Sequence, residues 1–208
     1  MNSGAGRGSS ETRARVLEAL CDTIAARGVE RTRFTDVATC AGVSVGNLQY
    51  LFGSREAMVL AGLEHATQEL LSCVVAKAAE MERPVERLRW VATHLAAGVQ
   101  GDEESARREW LLWTEYWRAA LRDEELRLAS LAMYEAWVGV VRDAILDCVR
   151  TGAVAEPADV DLIAAGAVAM GDGLGVQVAL GRPSLDWNAA GGSVRLWLSL
   201  ALQCPELA

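Results

Sequence analysis

Apolar positions recur at helical spacing along almost the whole chain, and glycine, proline and capping residues fall mostly between the periodic stretches. This pattern predicts an all-α protein of about nine helices. The first is expected over Glu11–Arg27, with Val16, Leu17, Leu20, Ile24 and Ala25 on one stripe and Gly28 as its stop. A short second helix over Arg33–Cys40, with Thr32 as N-cap, is followed by the tight turn Ala41-Gly42-Val43-Ser44. Ser44 caps a third helix over Val45–Leu51, and Gly53 and Ser54 lead into a fourth that runs from Arg55 to Ala79 without a breaker. Pro84 opens a fifth, to about Val99; Asp102 caps a sixth, to about Leu121; Asp123 caps a seventh, to Arg150. Pro157 is expected to open the eighth, ended by Gly181 and Pro183, and the ninth covers Leu185–Gln203. The Gly/Ser-rich start, residues 1–10, reads as a disordered tail.

The densest pattern lies between Phe34 and Met58. Phe34, Val37, Ala38, Val43, Leu48 and Phe52 fall where two short helices crossing a tight turn bury them together. Ala38 is small where such helices approach, and Gly42 offers the positive φ that the turn requires. The N-terminal residues of the second helix then face outward, as a reader of the DNA major groove requires.

On Val37-Ala38, Ala41-Gly42-Val43-Ser44, Gly46, Leu48, Phe52 and Ser54-Arg55-Glu56, the stretch from Arg13 to Leu63 resembles the TetR family of repressors. Many members carry Tyr at the position of Gln49 and His at that of Leu51, whereas this chain has Tyr50 between them. The resemblance implies a three-helix DNA-binding domain followed by a larger helical domain for ligand binding and dimerisation. With the geometry, it assigns phosphate contacts to Thr35, Ser44, Tyr50 and Arg55, and base reading to Val45, Asn47 and Gln49, while Arg33, like Arg31, is either a phosphate contact or ordinary solvated charge. The alternative for Asn47 and Gln49 is plain solvated helix surface.

Charge changes the picture only when it is divided along the chain. Residues 1–58 hold seven arginines and six carboxylates, net +1, which leaves −9 on the remainder of a chain of total charge −8. A near-neutral reading domain with grouped arginines can engage phosphates while an acidic remainder repels them. The five cysteines have no C-x-x-C spacing and only two histidines accompany them, so neither a metal site nor a disulfide framework is expected. Residues 1–10 contain no apolar export segment, and no stretch offers about 18 uncharged apolar residues; a cytoplasmic protein is the expectation.

Seven tryptophans are present, and Trp110, Trp113 and Trp117 share one helical face. Trp90, His94, Tyr134 and Trp137 recur on neighbouring helices. An aromatic interior of this kind either encloses a cationic or planar ligand, with Glu115 or Asp172 as charge partner, or fills the core. Trp113–Leu126, Tyr134, Trp137 and Gly171–Gln177 resemble the C-terminal domain of the choline-responsive, BetI-like branch of the family. The candidate effector set is therefore Trp90, Trp113, Trp117, Tyr134, Trp137 and Asp172, with Asp172 either meeting the effector or hydrogen-bonding structurally. The last two helices, near 157–181 and 185–203, are poor in charge. Gly166, Gly171, Gly173 and Gly175 cost about 1 kcal/mol each in helix stability, which close backbone packing could offset. The resemblance places the dimer there. A membrane hairpin is disfavoured by Asp159, Asp161, Asp172, Arg182, Asp186 and Arg195.

The expected organisation is thus a tail (1–10), a helix-turn-helix domain (11–54) and an effector-binding and dimerisation domain (55–208). The expected function is a ligand-responsive regulator, a repressor by resemblance, that binds an inverted-repeat DNA operator as a homodimer. No catalytic residues, metal or cofactor are expected. The rivals are a dimeric ligand-binding module without specific DNA binding and, further off, an enzyme using the aromatic cavity, for which no catalytic motif is present.

Overall fold

The computed structural model describes residues 4–97 and 102–208, and the side chains from residue 11 onward within them. Among these residues the chain forms nine α-helices: α1 (Gly4–Arg27), α2 (Phe34–Ala41), α3 (Val45–Phe52), α4 (Arg55–Ala79), α5 (Pro84–Ala97), α6 (Glu103–Ala120), α7 (Glu124–Arg150), α8 (Val160–Ala179) and α9 (Trp187–Ala201). Short 3-10 turns cover Val29–Arg31 and Pro205–Leu207. The chain divides into two compact units, one of residues 1–68 and 111–130, the other of residues 69–110 and 131–208. This division cuts within α4, α6 and α7, unlike the functional division expected at residue 55.

In the first unit the apolar stripe of α1 supplies Val16, Leu20 and Ile24 to a core that also holds Val37, Leu48, Met58, Leu63 and Tyr116. The Tyr116 hydroxyl donates to the Val59 carbonyl at 3.1 Å, so the one polar atom of this buried ring is satisfied. In the second unit α5 packs against α8 and α9, which also pack on each other. Leu88, Val91, Val141, Ile145, Ala164, Ala167, Val194 and Leu198 fill its interior.

Several boundaries differ from the sequence expectation for local reasons. The first helix starts at Gly4, so among the described residues the expected tail is helical; residues 1–3 lie outside them. Extending an existing helix by one residue is far cheaper than nucleating one, so weak helix formers can join it. Thr32 does not cap α2: the 3-10 turn shifts the start by one residue, the cap is Arg33, and the Asp36 carboxylate accepts from its N–H at 3.0 Å. Pro157 does not open α8; Asp159 caps it, accepting from the Leu162 N–H at 2.9 Å. The last residues expected in the fifth helix, 98 and 99, lie outside the described residues.

The glycines of α8 serve mainly their own unit. A Cβ on Gly171 would meet the Leu95 carbonyl at 2.6 Å, and one on Gly175 would enter the Trp110 ring, 2.0 Å from its nearest atom. Gly166 likewise lies under Trp197, and only Gly173 of the four faces open space. Of the described helices, α8 is long and apolar enough to cross a membrane by length and composition alone.

Candidate DNA-reading face and effector site

The two-helix element at 34–52 forms from short-range chemistry. Gly42 takes φ 66° at the end of α2, and its N–H donates to the Ala38 carbonyl. The Ser44 hydroxyl accepts from the Asn47 N–H at 3.1 Å, satisfying one of the free donors at the start of α3. Leu48 is fully buried and anchors α3, as Val37 and Ala38 anchor α2. Phe34, Val43 and Phe52 are half-buried at the edge of this contact.

That anchoring decides what faces outward. Asn47, Gln49 and Tyr50 are exposed, Val45 is half-exposed, and Thr35 and Ser44 lie exposed at the starts of α2 and α3. Six of the eight DNA candidates thus stand at exposed or half-exposed positions between residues 35 and 50. The two arginines are differently occupied. Arg33 donates to the Glu30 carbonyl at 2.5 Å. Arg55 is half-buried and donates from Nε to the Thr32 carbonyl at 2.8 Å and from its guanidinium to the Val29 carbonyl.

Glu115, a possible effector partner from the sequence, lies in the first unit and is engaged there. Its Oε2 accepts from the Val29 N–H at 3.3 Å and from Arg118 at 2.9 Å. No pattern within α6 beyond the Glu115–Arg118 spacing signals this contact, because the amide it meets lies 86 residues away.

Of the effector candidates, Trp113 and Trp117 belong to the first unit, and Trp90, Tyr134, Trp137 and Asp172 to the second. Trp113 is buried with its ring 6.3 Å from that of Tyr116. In the second unit Trp90 lies against His94 with ring centroids 3.7 Å apart, and its indole N–H donates to the Val74 carbonyl at 3.2 Å. Burial lowers the His94 pKa and so favours the neutral ring. Trp137 is buried. Asp172 and Tyr134 meet: the phenol donates to the carboxylate, burial raises the carboxyl to about 6, and the hydrogen bond opposes that rise. Burial, and then the charge of Asp172, raise the Tyr134 hydroxyl in turn. A half-buried carboxylate with an aromatic hydrogen-bond partner is chemically suited to an organic cation.

Residues 84–199 match the family described as BetI-type transcriptional repressor, C-terminal, and residues 16–61 match bacterial regulatory proteins, tetR family. Among solved structures, the chain is similar to one from Rhodococcus sp. described as a TetR-family transcriptional regulator, at 25% identity and TM-score 0.80, over 93% of this chain and 99% of that one. It is similar also to a transcriptional regulator from Saccharomonospora viridis in complex with choline, at 25% identity and TM-score 0.77, over 91% of this chain and 96% of that one. The fold is shared with the regulator FadR from Bacillus subtilis in complex with stearoyl-CoA, at 19% identity and TM-score 0.70, over 90% and 96% of the two chains. No curated protein sequence matches the chain.

Proposed function

Because this chain belongs to the TetR family of transcriptional regulators and carries a BetI-type C-terminal domain, we propose that it is a homodimeric repressor released from an inverted-repeat operator by a small organic cation. The observation that carries the reading is the exposed stretch Val45, Asn47, Gln49 and Tyr50 on a helix fixed by the buried Leu48. Asn and Gln can each contact adenine bidentately and Val45 can pack on a thymine methyl, while Thr35, Ser44 and Tyr50 hold phosphates. Residues 11–54 act as the reading domain and 55–208 as the effector and dimerisation domain. Arg33 and Arg55 contribute mainly by holding the backbone of residues 29–32 within that domain.

Dimerisation is supported by two exposed apolar stripes. Leu162, Ala165, Ala169 and Gly173 line one side of α8, and the exposed Leu196 and Leu200, with the half-buried Gly192, line one side of α9, spaced as a helix face requires. A second copy covers both stripes in a two-fold arrangement. This also accounts for the apolar character of α8 without a membrane.

The effector class follows from Asp172 and Tyr134, with Trp90 and Trp137 as further aromatic surface in the same unit. Trp113 and Trp117 are assigned to the effector on the family resemblance alone. The similarity to a regulator bound to choline makes that cation the first probe. In the test, DNA enriched from a random pool is titrated with protein, with and without choline, and with the neutral isostere 3,3-dimethylbutan-1-ol. Release by the cation and not by the isostere, lost in Asp172→Asn, supports the reading. Release by both equally, or unchanged release from Asp172→Asn, removes Asp172 from the effector site.

A further inference from the structure

The linker between α1 and α2 is gripped from two sides by side chains that lie outside the reading helices. On one side Glu115 of α6 accepts from the Val29 N–H at 3.3 Å. On the other, Arg55 at the start of α4 donates to the Val29 carbonyl and, at 2.8 Å, to that of Thr32. One residue, Val29, thus has its N–H held by α6 and its C=O held by α4.

The grip is closed by further bonds. Arg118 fixes the Glu115 carboxylate through Nη2 at 2.9 Å and Nε at 3.3 Å, and reaches the Glu30 carboxylate at 3.0 Å. Gly28 lies under Glu115 with φ 82°, and a Cβ there would come within 2.7 Å of Glu115 Oε2. Only a glycine leaves room for a carboxylate this close to the backbone. The turn is also tied to α2. Thr32 is fully buried, its hydroxyl donates to the Gly28 carbonyl at 2.9 Å, and Arg27 pairs with Asp36 of α2 at 2.8 Å. Displacing the turn therefore displaces the start of α2, against which α3 is packed.

We propose that Glu115, opposed by Arg55, is a positioning residue for DNA binding: a clasp on the α1–α2 linker that sets how the reading helix is presented. The proposal rests on the DNA-binding function proposed for this chain. The clasp needs an acceptor at position 115 more than a charge, because the group it holds is a neutral amide. Since the Arg55 and Glu115 contacts share one turn, any change in the separation of those two side chains breaks one contact or moves α2.

The test compares Glu115→Gln and Glu115→Leu, both of which remove the charge while only Gln keeps an acceptor. The DNA is the sequence that the wild-type protein enriches from a random pool. At a temperature where circular dichroism shows every variant folded, Glu115→Leu should weaken binding by about tenfold and Glu115→Gln by no more than about threefold. The slope of log affinity against log salt should be unchanged, since no phosphate contact is lost. Amide exchange over residues 28–33 should quicken in Glu115→Leu and not in Glu115→Gln. A role in stability alone would lower the melting temperature and leave affinity and the Gln rescue unmoved. Equal affinities for the two variants, or unaltered exchange over 28–33, overturn the clasp. Should Glu115→Leu fail to fold, Gly28→Ala takes its place, with the same loss expected and wild-type affinity as the contrary result. A wild-type protein that enriches no DNA would sink the regulator reading instead, and the exchange comparison then decides the clasp by itself.

Discussion

Replacing Leu200 with glutamate tests the proposed dimer at the most exposed large apolar side chain of α9. Leu200 is 71% exposed in the single chain, so nearly three-quarters of its side chain is available to be covered. Full burial of a leucine is worth about 1.5–3 kcal/mol, so roughly 1–2 kcal/mol is at stake per copy. Two-fold symmetry counts each substitution twice, giving roughly 2–4 kcal/mol, or about 30- to 700-fold in the dimer dissociation constant. Burying two unpaired carboxylates adds to that cost. Sedimentation velocity over a concentration series measures it directly. Leu121→Glu is the matched control: this leucine is 83% exposed but lies in the first unit, after the end of α6, and belongs to neither stripe. The expected result is a wild-type dimer, a Leu121→Glu dimer and a Leu200→Glu monomer at micromolar concentration. A Leu200→Glu protein that dimerises like wild type, or a Leu121→Glu protein that dissociates instead, would refute the placement of the interface.

Other consequences are open to separate measurement. Burial raises the Asp172 carboxyl to about 6 from 3.8, so the folded protein retains a proton that the unfolded chain has released. Its contribution to stability is therefore full below about pH 4 and is lost as pH rises through about 6. Asp172→Asn should abolish that slope in denaturant titrations, with roughly 1–3 kcal/mol recovered at pH 7 after discounting for solvent screening. A wild-type stability that rises over the same interval contradicts the assignment. Choline affinity should move the other way, tightening as pH rises through about 6 and the carboxylate forms. Leu48→Ala, at a fully buried position, should cost about 2–5 kcal/mol in urea unfolding; a loss under 1 kcal/mol would mean that Leu48 does not anchor α3. Gln49→Ala should relax base preference at one symmetric pair of operator positions, whereas equal loss on every sequence would remove Gln49 from the reading set.

What the sequence made legible was the local part of this structure. Ser44 and Asp102 cap their helices as expected, because a cap and the N–H it accepts from lie three residues apart. The buried set Val37, Ala38 and Leu48 was readable because helical periodicity and a glycine turn fix their mutual positions within a dozen residues. Contacts between distant segments left no such trace. Arg55 looks like a phosphate ligand at a helix start, yet its guanidinium meets carbonyls 23 and 26 residues earlier. Glu115 looks like a pocket carboxylate and instead holds an amide 86 residues away. The tryptophan stripe was readable as a stripe, but Trp110 and Trp113 enter different compact units because the division falls between them. The glycines of α8 were identified as close-packing positions, and for Gly166, Gly171 and Gly175 the partners, Trp197, Leu95 and Trp110, are within the chain itself.

Selection of bound DNA from a fully random pool, followed by sequencing, tests the central claim most directly. A two-fold dimer carrying one reading helix per protomer should enrich an inverted repeat whose half-site centres are about one helical turn, roughly 10 base pairs, apart. The doubly substituted protein Asn47→Ala, Gln49→Ala should fold and dimerise yet fail to enrich that sequence. Enrichment of no sequence by the wild-type protein, or of the same symmetric site by the double variant, would contradict the account.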